Sequence, residues 1–182
     1  TTRSMKGEYA CNFQSVLHLM DDKTKAEFVE SLFAMGKDHT EVLSLKYENS
    51  APENIAVKPL IWDLELESKA LIVEAGDDYL IKIGETIGQQ TELYQENKRE
   101  LPVDVGFLHN YYRRITIAIP EGYEPANIDD LNMYVALVDG DKTGCFFRSV
   151  ASFDGKTVTI DSDEQYPDAS YSIEQWDAFR NV

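Results

Sequence analysis

Apolar and polar residues alternate at every second position along much of this chain, the pattern of strands with one covered and one wet face. Over residues 8 to 19, Tyr9, Cys11, Phe13, Leu17 and Leu19 alternate with Asn12, Gln14 and His18, which predicts a strand with His18 on its wet face. The period then changes. Thr24-Lys25-Ala26-Glu27 fits a capping box, Ala26, Val29, Leu32, Phe33 and Met35 recur at helical spacing, and Gly36 closes the helix as a left-handed C-terminal residue. Residues 41 to 47 read as extended again, so one helical crossover lies between two strands. Pro52 and Pro59 punctuate a loop over residues 49 to 58. Trp62, Leu64 and Leu66 then alternate with Asp63, Glu65 and Glu67; residues 70 to 75 and 79 to 83 are further strand runs, joined by a turn at Gly76-Asp77-Asp78.

From residue 84 to 105 the periodicity fades into a polar stretch ending at Leu101-Pro102-Val103, the best place for a boundary between two units. Beyond it Tyr111, Arg113, Ile115, Ile117 and Ile119 share one face of a long strand, stopped at Pro120-Glu121-Gly122. Residues 133 to 138, 145 to 153 and 157 to 161 form three more runs, separated by Asp139-Gly140 and Asp154-Gly155. Asp-Gly between alternating runs signals a hairpin, because a type I′ turn needs positive φ at both central residues. The expectation is therefore a meander of three antiparallel strands. Ser172-Ile173-Glu174-Gln175 is a second capping box, opening a terminal helix with Trp176 and Phe179 on its apolar side. These elements predict an α+β chain, mainly β, with antiparallel sheets. Residues 1 to 103 make a β-rich unit with one helix, and residues 104 to 182 an immunoglobulin-like antiparallel β-sandwich unit with a terminal helix.

Composition and charge narrow the function classes. Of 182 residues, 43% are apolar, enough to build cores, so the chain is not a disordered one. Seventeen Lys and Arg face 33 Asp and Glu, for a formal net charge of −16. Phosphate backbones are bound through clustered cations that release counterions, so nucleic acid and anionic membrane surfaces are excluded as natural partners. No apolar run approaches the length needed to span a bilayer. The chain starts Thr1-Thr2-Arg3-Ser4-Met5, with neither an initiator methionine nor an apolar signal core, and stops within a helical pattern. The first end is expected of a mature exported protein or an excised fragment alike, and the second of a fragment cut from a longer chain.

Candidate chemistry is sparse. Cys11 and Cys145 lie too far apart for a paired zinc motif, and each reads as apolar filler in an alternating run rather than a thiolate at a helix N-terminus. His18, His39 and His109 are the only histidines, and no Gly-rich phosphate loop, G-x-S-x-G elbow or H-E-x-x-H is present. No catalytic, cofactor or metal residue is assigned on this basis. Asp63, Glu65 and Glu67 lie along one strand face, within reach of a hard cation such as Ca²⁺, but a flat row does not converge on a point. Asp139-Gly140-Asp141-Lys142-Thr143-Gly144 has the glycine of a calcium loop without its ligand spacing, and Asp161-Ser162-Asp163-Glu164 reads as a strand end entering solvent. Tyr111, Tyr112, Arg113 and Arg114 form the densest aromatic and basic cluster. With the three carboxylates they make the candidate binding face.

Three runs carry a family resemblance: Gly84-Glu85-Thr86-Ile87-Gly88-Gln89-Gln90-Thr91-Glu92-Leu93-Tyr94, then Arg99-Glu100-Leu101-Pro102-Val103-Asp104, then Tyr111 to Tyr123 with its Ile119-Pro120-Glu121-Gly122-Tyr123 ending. They resemble the carboxy-terminal region of large exported Bacteroidetes-type proteins, in which a transglutaminase-like core is flanked by β-rich domains of unknown function. The match is best over residues 84 to 125 and extends to about 58 to 180. The resemblance implies a noncatalytic accessory domain, periplasmic or otherwise exported, that is structural or positions substrate for a transglutaminase-like or cysteine-protease-like core. That core is its partner, on the same polypeptide or another protein. No catalytic residue carries over, because the core's Cys, His and Asp motif does not occur here. The alternative is a freestanding extracellular module binding a glycan, a peptide or Ca²⁺.

Overall fold

The computed structural model describes residues 1–33, 40–87, 93 and 95–182. The protein is α+β and mainly β, and every strand pair is antiparallel. It divides into two units, Thr1–Gln90 and Thr91–Val182. Val103 pairs with Tyr171 in a ladder of the second unit, so the division falls upstream of the boundary expected at residues 103 and 104.

In the first unit a three-stranded sheet has β1 (Thr2–Met5) and β2 (Thr40–Glu48) on either side of β3 (Leu60–Ser68). Two helices, α1 (Gly7–Leu17) and α2 (Asp22–Phe33), supply the rest of its core. Leu60, Trp62 and Leu64 on one face of β3 pack with Ala10, Leu17 and Val29, and the Phe13 ring meets Trp62 edge-on at 5.1 Å. A separate hairpin pairs β4 (Ile72–Ala75) with β5 (Asp78–Ile81).

The strand expected over residues 8 to 19 is instead α1. Ala10, Gln14 and Leu17 are its buried residues, spaced by four and three as a helix requires, whereas Leu19 is exposed. The alternation misleads because Gln14, a polar residue read as facing water, is 0% exposed. Its Nε2 donates to the carbonyl oxygens of Asn49 at 2.7 Å, Lys58 at 3.2 Å and Asn54 at 3.3 Å. Those bonds replace water for the Nε2 donors, while Oε1 is buried without a partner among the described residues, and they tie down the loop between β2 and β3. The start of α2 also differs. Asp21 caps it, its carboxylate accepting the Thr24 N–H at 2.7 Å, so the cap lies three residues before the expected Thr24. That bond holds the Asp21 carboxyl below the usual aspartate range. Met35 and Gly36, expected to end this helix, lie outside the described residues.

The second unit holds a four-stranded sheet in the order β7-β10-β9-β8, from β7 (His109–Ala118), β8 (Met133–Asp139), β9 (Lys142–Phe153) and β10 (Thr157–Tyr166). The meander β8–β9–β10 is the one predicted. A two-stranded ladder joins β6 (Val103–Asp104) to β11 (Ser170–Tyr171), and α3 (Trp176–Phe179) follows the Ser172/Gln175 capping box. The immunoglobulin-like sandwich expected for this half goes further than these ladders, which are one sheet of four strands and one of two. Leu137 and Cys145 pack with Val103, Tyr171 and Phe179. Leu137 lies at a register shift between Ala136 and Val138, where a Cβ on Gly144 would come within 2.8 Å of its Cδ2. Glycine at 144 is what lets β9 close on that irregularity.

Hairpin geometry departs from expectation in one respect. Asp139 pairs with Lys142, leaving Gly140-Asp141 as the two-residue loop, and positive φ occurs at Gly140 (+60°) but not at Asp141. This is the type II′ pattern, glycine at the first central position, rather than type I′.

Candidate functional site

Strand alternation decides where the candidate residues point. Tyr111 and Arg113 lie on one face of β7 and Tyr112 and Arg114 on the other, so the four do not form one binding face. Asp63, Glu65 and Glu67 are exposed along β3 in the first unit. Asp63 accepts a bond from the Thr2 hydroxyl at 2.8 Å. Among the described residues no group of three or more His, Cys, Asp or Glu gathers as a metal site. Asp139 belongs to the hairpin described above and accepts a bond from Gln175 Nε2 at 3.1 Å.

On the covered face, Arg113 Nη1 donates to Glu164 Oε2 at 2.7 Å, with the two side chains 20% and 10% exposed. The other Glu164 oxygen accepts the Tyr166 hydroxyl at 3.0 Å, and the Arg113 guanidinium lies 4.7 Å from the centre of the Tyr111 ring. The imidazole of His109 lies 4.7 Å from the Tyr166 ring and 5.4 Å from Tyr111, with Nδ1 2.7 Å from the Phe107 carbonyl oxygen. Burial, then the Glu164 charge, pushes the Tyr166 hydroxyl far above its ordinary pKa. The acidic run at residues 161 to 164 is therefore not a frayed strand end. β10 continues to Tyr166, and its two-residue period turns Ser162 and Glu164 inward, where Glu164 has one charged partner, Arg113, and one neutral donor, Tyr166.

On the opposite, outer face, Arg114 grips Asp161 with a two-pronged contact, Nε to Oδ1 at 2.7 Å and Nη2 to Oδ2 at 3.0 Å. The Tyr112 hydroxyl donates to the same Oδ1 at 2.9 Å. The guanidinium, and after it the Tyr112 hydroxyl, hold the Asp161 carboxyl below its usual range. Sequence reading overlooked the rest of this face. Tyr112 stands opposite Asp163, Asp163 opposite Arg148 and Arg148 opposite Tyr134, so one row crosses all four strands. The signal lay in the two hairpin turns, whose positions set the register that brings these residues into line.

Neither cysteine has the surroundings of a nucleophile. Both are free thiols. Cys145 is 0% exposed, and burial pushes its thiol up. Beside it the Tyr171 hydroxyl is pushed up to about 12, first by burial and then by the nearby thiol. Cys11 lies within α1, half-buried, away from the helix start. His18 Nδ1 lies 3.1 Å from the Gln14 carbonyl oxygen one turn before it; His39 is outside the described residues.

Of the runs behind the resemblance, residues 88–92 and 94 lie outside the described residues, and the run from Arg99 to Asp104 serves the fold. Arg99 Nε donates to the Leu101 carbonyl at 2.7 Å and Nη2 to that of Pro102 at 3.1 Å, while its guanidinium covers the Trp176 ring at 4.7 Å. The Arg, Pro and Val of that run thus lead the chain into β6. No helix of the described residues is long and apolar enough to cross a membrane. Comparison of the chain with protein-family models, with curated proteins and with solved structures returns no match.

Proposed function

We infer that this chain is a noncatalytic accessory module, exported and associated with a transglutaminase-like or cysteine-protease-like core, which it supports or supplies with correctly placed substrate. The observation that carries the noncatalytic part is the burial of Cys145, 0% exposed beside Tyr171 with its thiol pushed toward the neutral form. A cysteine nucleophile of acyl transfer must reach its substrate as a thiolate. The resemblance over residues 84 to 125 supports the association with such a core, and the packing of Arg99 on Trp176 explains why that motif serves structure. The test is an assay of amide hydrolysis and acyl transfer by the chain, with Cys11→Ala and Cys145→Ala beside it. No turnover is expected in any of the three; turnover that disappears in either variant would overturn the reading.

The second reading, a freestanding extracellular binding module, is favoured by the row that crosses the outer face of the four-stranded sheet. Of its three ligand classes, Ca²⁺ has the least support, because Asp63, Glu65 and Glu67 run along a strand instead of converging.

A further inference from the structure

We propose that the outer face of the β7–β10–β9–β8 sheet binds a short neutral oligosaccharide laid across the strands. The row Tyr112, Asp163, Arg148, Tyr134 puts a ring at each edge strand, 63% and 61% exposed, and charge on the two central strands. Three strand spacings separate the backbones that carry the rings, roughly 14 Å. A protein-docking surface has an apolar centre inside a polar rim, whereas here the centre is mixed, with Arg148 between Phe146 and Val150 on β9 and Asp161 and Asp163 beside them on β10. Two separated rings with hydrogen-bonding groups between them suit a chain of sugars, whose C–H faces stack on aromatics and whose hydroxyls both donate and accept.

Charge selects the neutral class. The chain carries −16 overall, yet this face has two arginines, Arg114 and Arg148, against two aspartates, Asp161 and Asp163. An anionic glycan meets the field of the whole protein, and a cationic peptide finds both aspartates engaged. Gln165 Nε2 holds Asp163 at 3.1 and 3.2 Å, and Arg114 holds Asp161. Of the two arginines on this face, Arg114 is paired with Asp161, whereas Arg148 has no ion-pair partner among the described residues, leaving its donors for a ligand.

The rings are also set in place beforehand. Bonding to Asp161 and Arg114 fixes the Tyr112 hydroxyl, and the Tyr134 ring leans on Phe146 with centroids 6.0 Å apart. Less rotamer freedom is then lost on binding. Asn110 and Gln165 continue the polar strip in the next row, opposite Phe146. This inference deepens the binding-module reading and does not depend on a catalytic core. Acyl-transfer activity would remove the accessory reading alone, and silence toward sugars this one alone.

The experiment titrates the full chain with cello-, xylo-, manno-, malto- and N-acetylchito-oligosaccharides, followed by calorimetry and by amide NMR shifts. Saturable binding to at least one series is expected, with shifts on the outer-face residues of β7 to β10. Tyr112→Ala and Tyr134→Ala should each weaken it by roughly tenfold, the worth of one aromatic contact, with unchanged near-UV circular dichroism showing that each variant folds. No saturable binding by the folded chain overturns the proposal, as does binding that survives the double Tyr variant. Self-association abolished by Arg148→Glu also overturns it, in favour of a protein-docking face.

Discussion

Arg113 and Arg114 are adjacent in sequence and live in two different media. On the covered face of the sheet Arg113 sits within a closed group, Glu164 in front of it, Tyr111 beneath it and Tyr166 on the far carboxylate oxygen. On the outer face Arg114 and Asp161 meet in a better-formed two-pronged contact, open to water. Contact geometry alone would rank the outer pair higher. Solvent reverses the ranking, since exposed ion pairs gain little over their hydrated partners whereas a half-buried charge has nowhere else to go. The covered face therefore contributes to stability through its ion pair, whereas the outer face holds its charges in water, where the proposed sugar site lies.

Substitution at Arg113 is the strongest way to break that contrast. Arg113→Ala strands Glu164 with one neutral donor, and thermal or urea unfolding should report a loss of about 2 to 3 kcal/mol. Were it as mild as Arg114→Ala, the covered face would be wetter than its burial indicates. Tyr166→Phe removes one hydrogen bond to Glu164 and keeps the ring against His109; about 1 kcal/mol of lost stability is expected in the same measurement. Arg114→Ala should leave the unfolding midpoint within the scatter of ordinary surface substitutions and shows itself instead by titration. With the guanidinium in place the Asp161 carboxyl titrates below the usual aspartate range, so its stabilising contribution is complete above the unfolded value near about 4 and is lost as pH falls through the lowered folded value. Carboxyl NMR should find the Asp161 midpoint moving up toward the ordinary value in Arg114→Ala. An unmoved midpoint would show that Tyr112, not Arg114, governs this carboxylate.

The contrast was half legible in the sequence. Alternation assigns Tyr111, Arg113, Ile115 and Ile117 to one side of β7, and the structure agrees; treating Tyr111 to Arg114 as one cluster ignored that same period. Glu164 was hidden because a carboxylate near a run of acids looks like solvent-facing chain until its partner 51 residues away is known. The hairpins of the second unit were easy to find, since Gly140, Gly155 and their neighbouring aspartates are local signals. Asp154 shows why, its carboxylate accepting the Lys156 and Thr157 N–H groups at 2.9 and 2.8 Å, which also keeps the carboxyl below its usual range. In the first unit α1 was misread through one residue. Gln14 is polar by type and core by position, and only the carbonyls of Asn49, Asn54 and Lys58 make that combination possible.

Turns, caps and strand period are short-range matters, carried by glycine conformations, capping side chains and the two-residue repeat. They were enough for a mainly β, antiparallel α+β protein with a meander in its second half. Which polar residues go inside, which acids are paired and which aromatics line up across four strands are long-range matters. Burying a polar group is tolerable where partners from distant segments replace its water, and those partners meet Gln14 Nε2 and Glu164 only once the chain has folded; the exposed row from Tyr112 to Tyr134 likewise comes into line only when four strands pair.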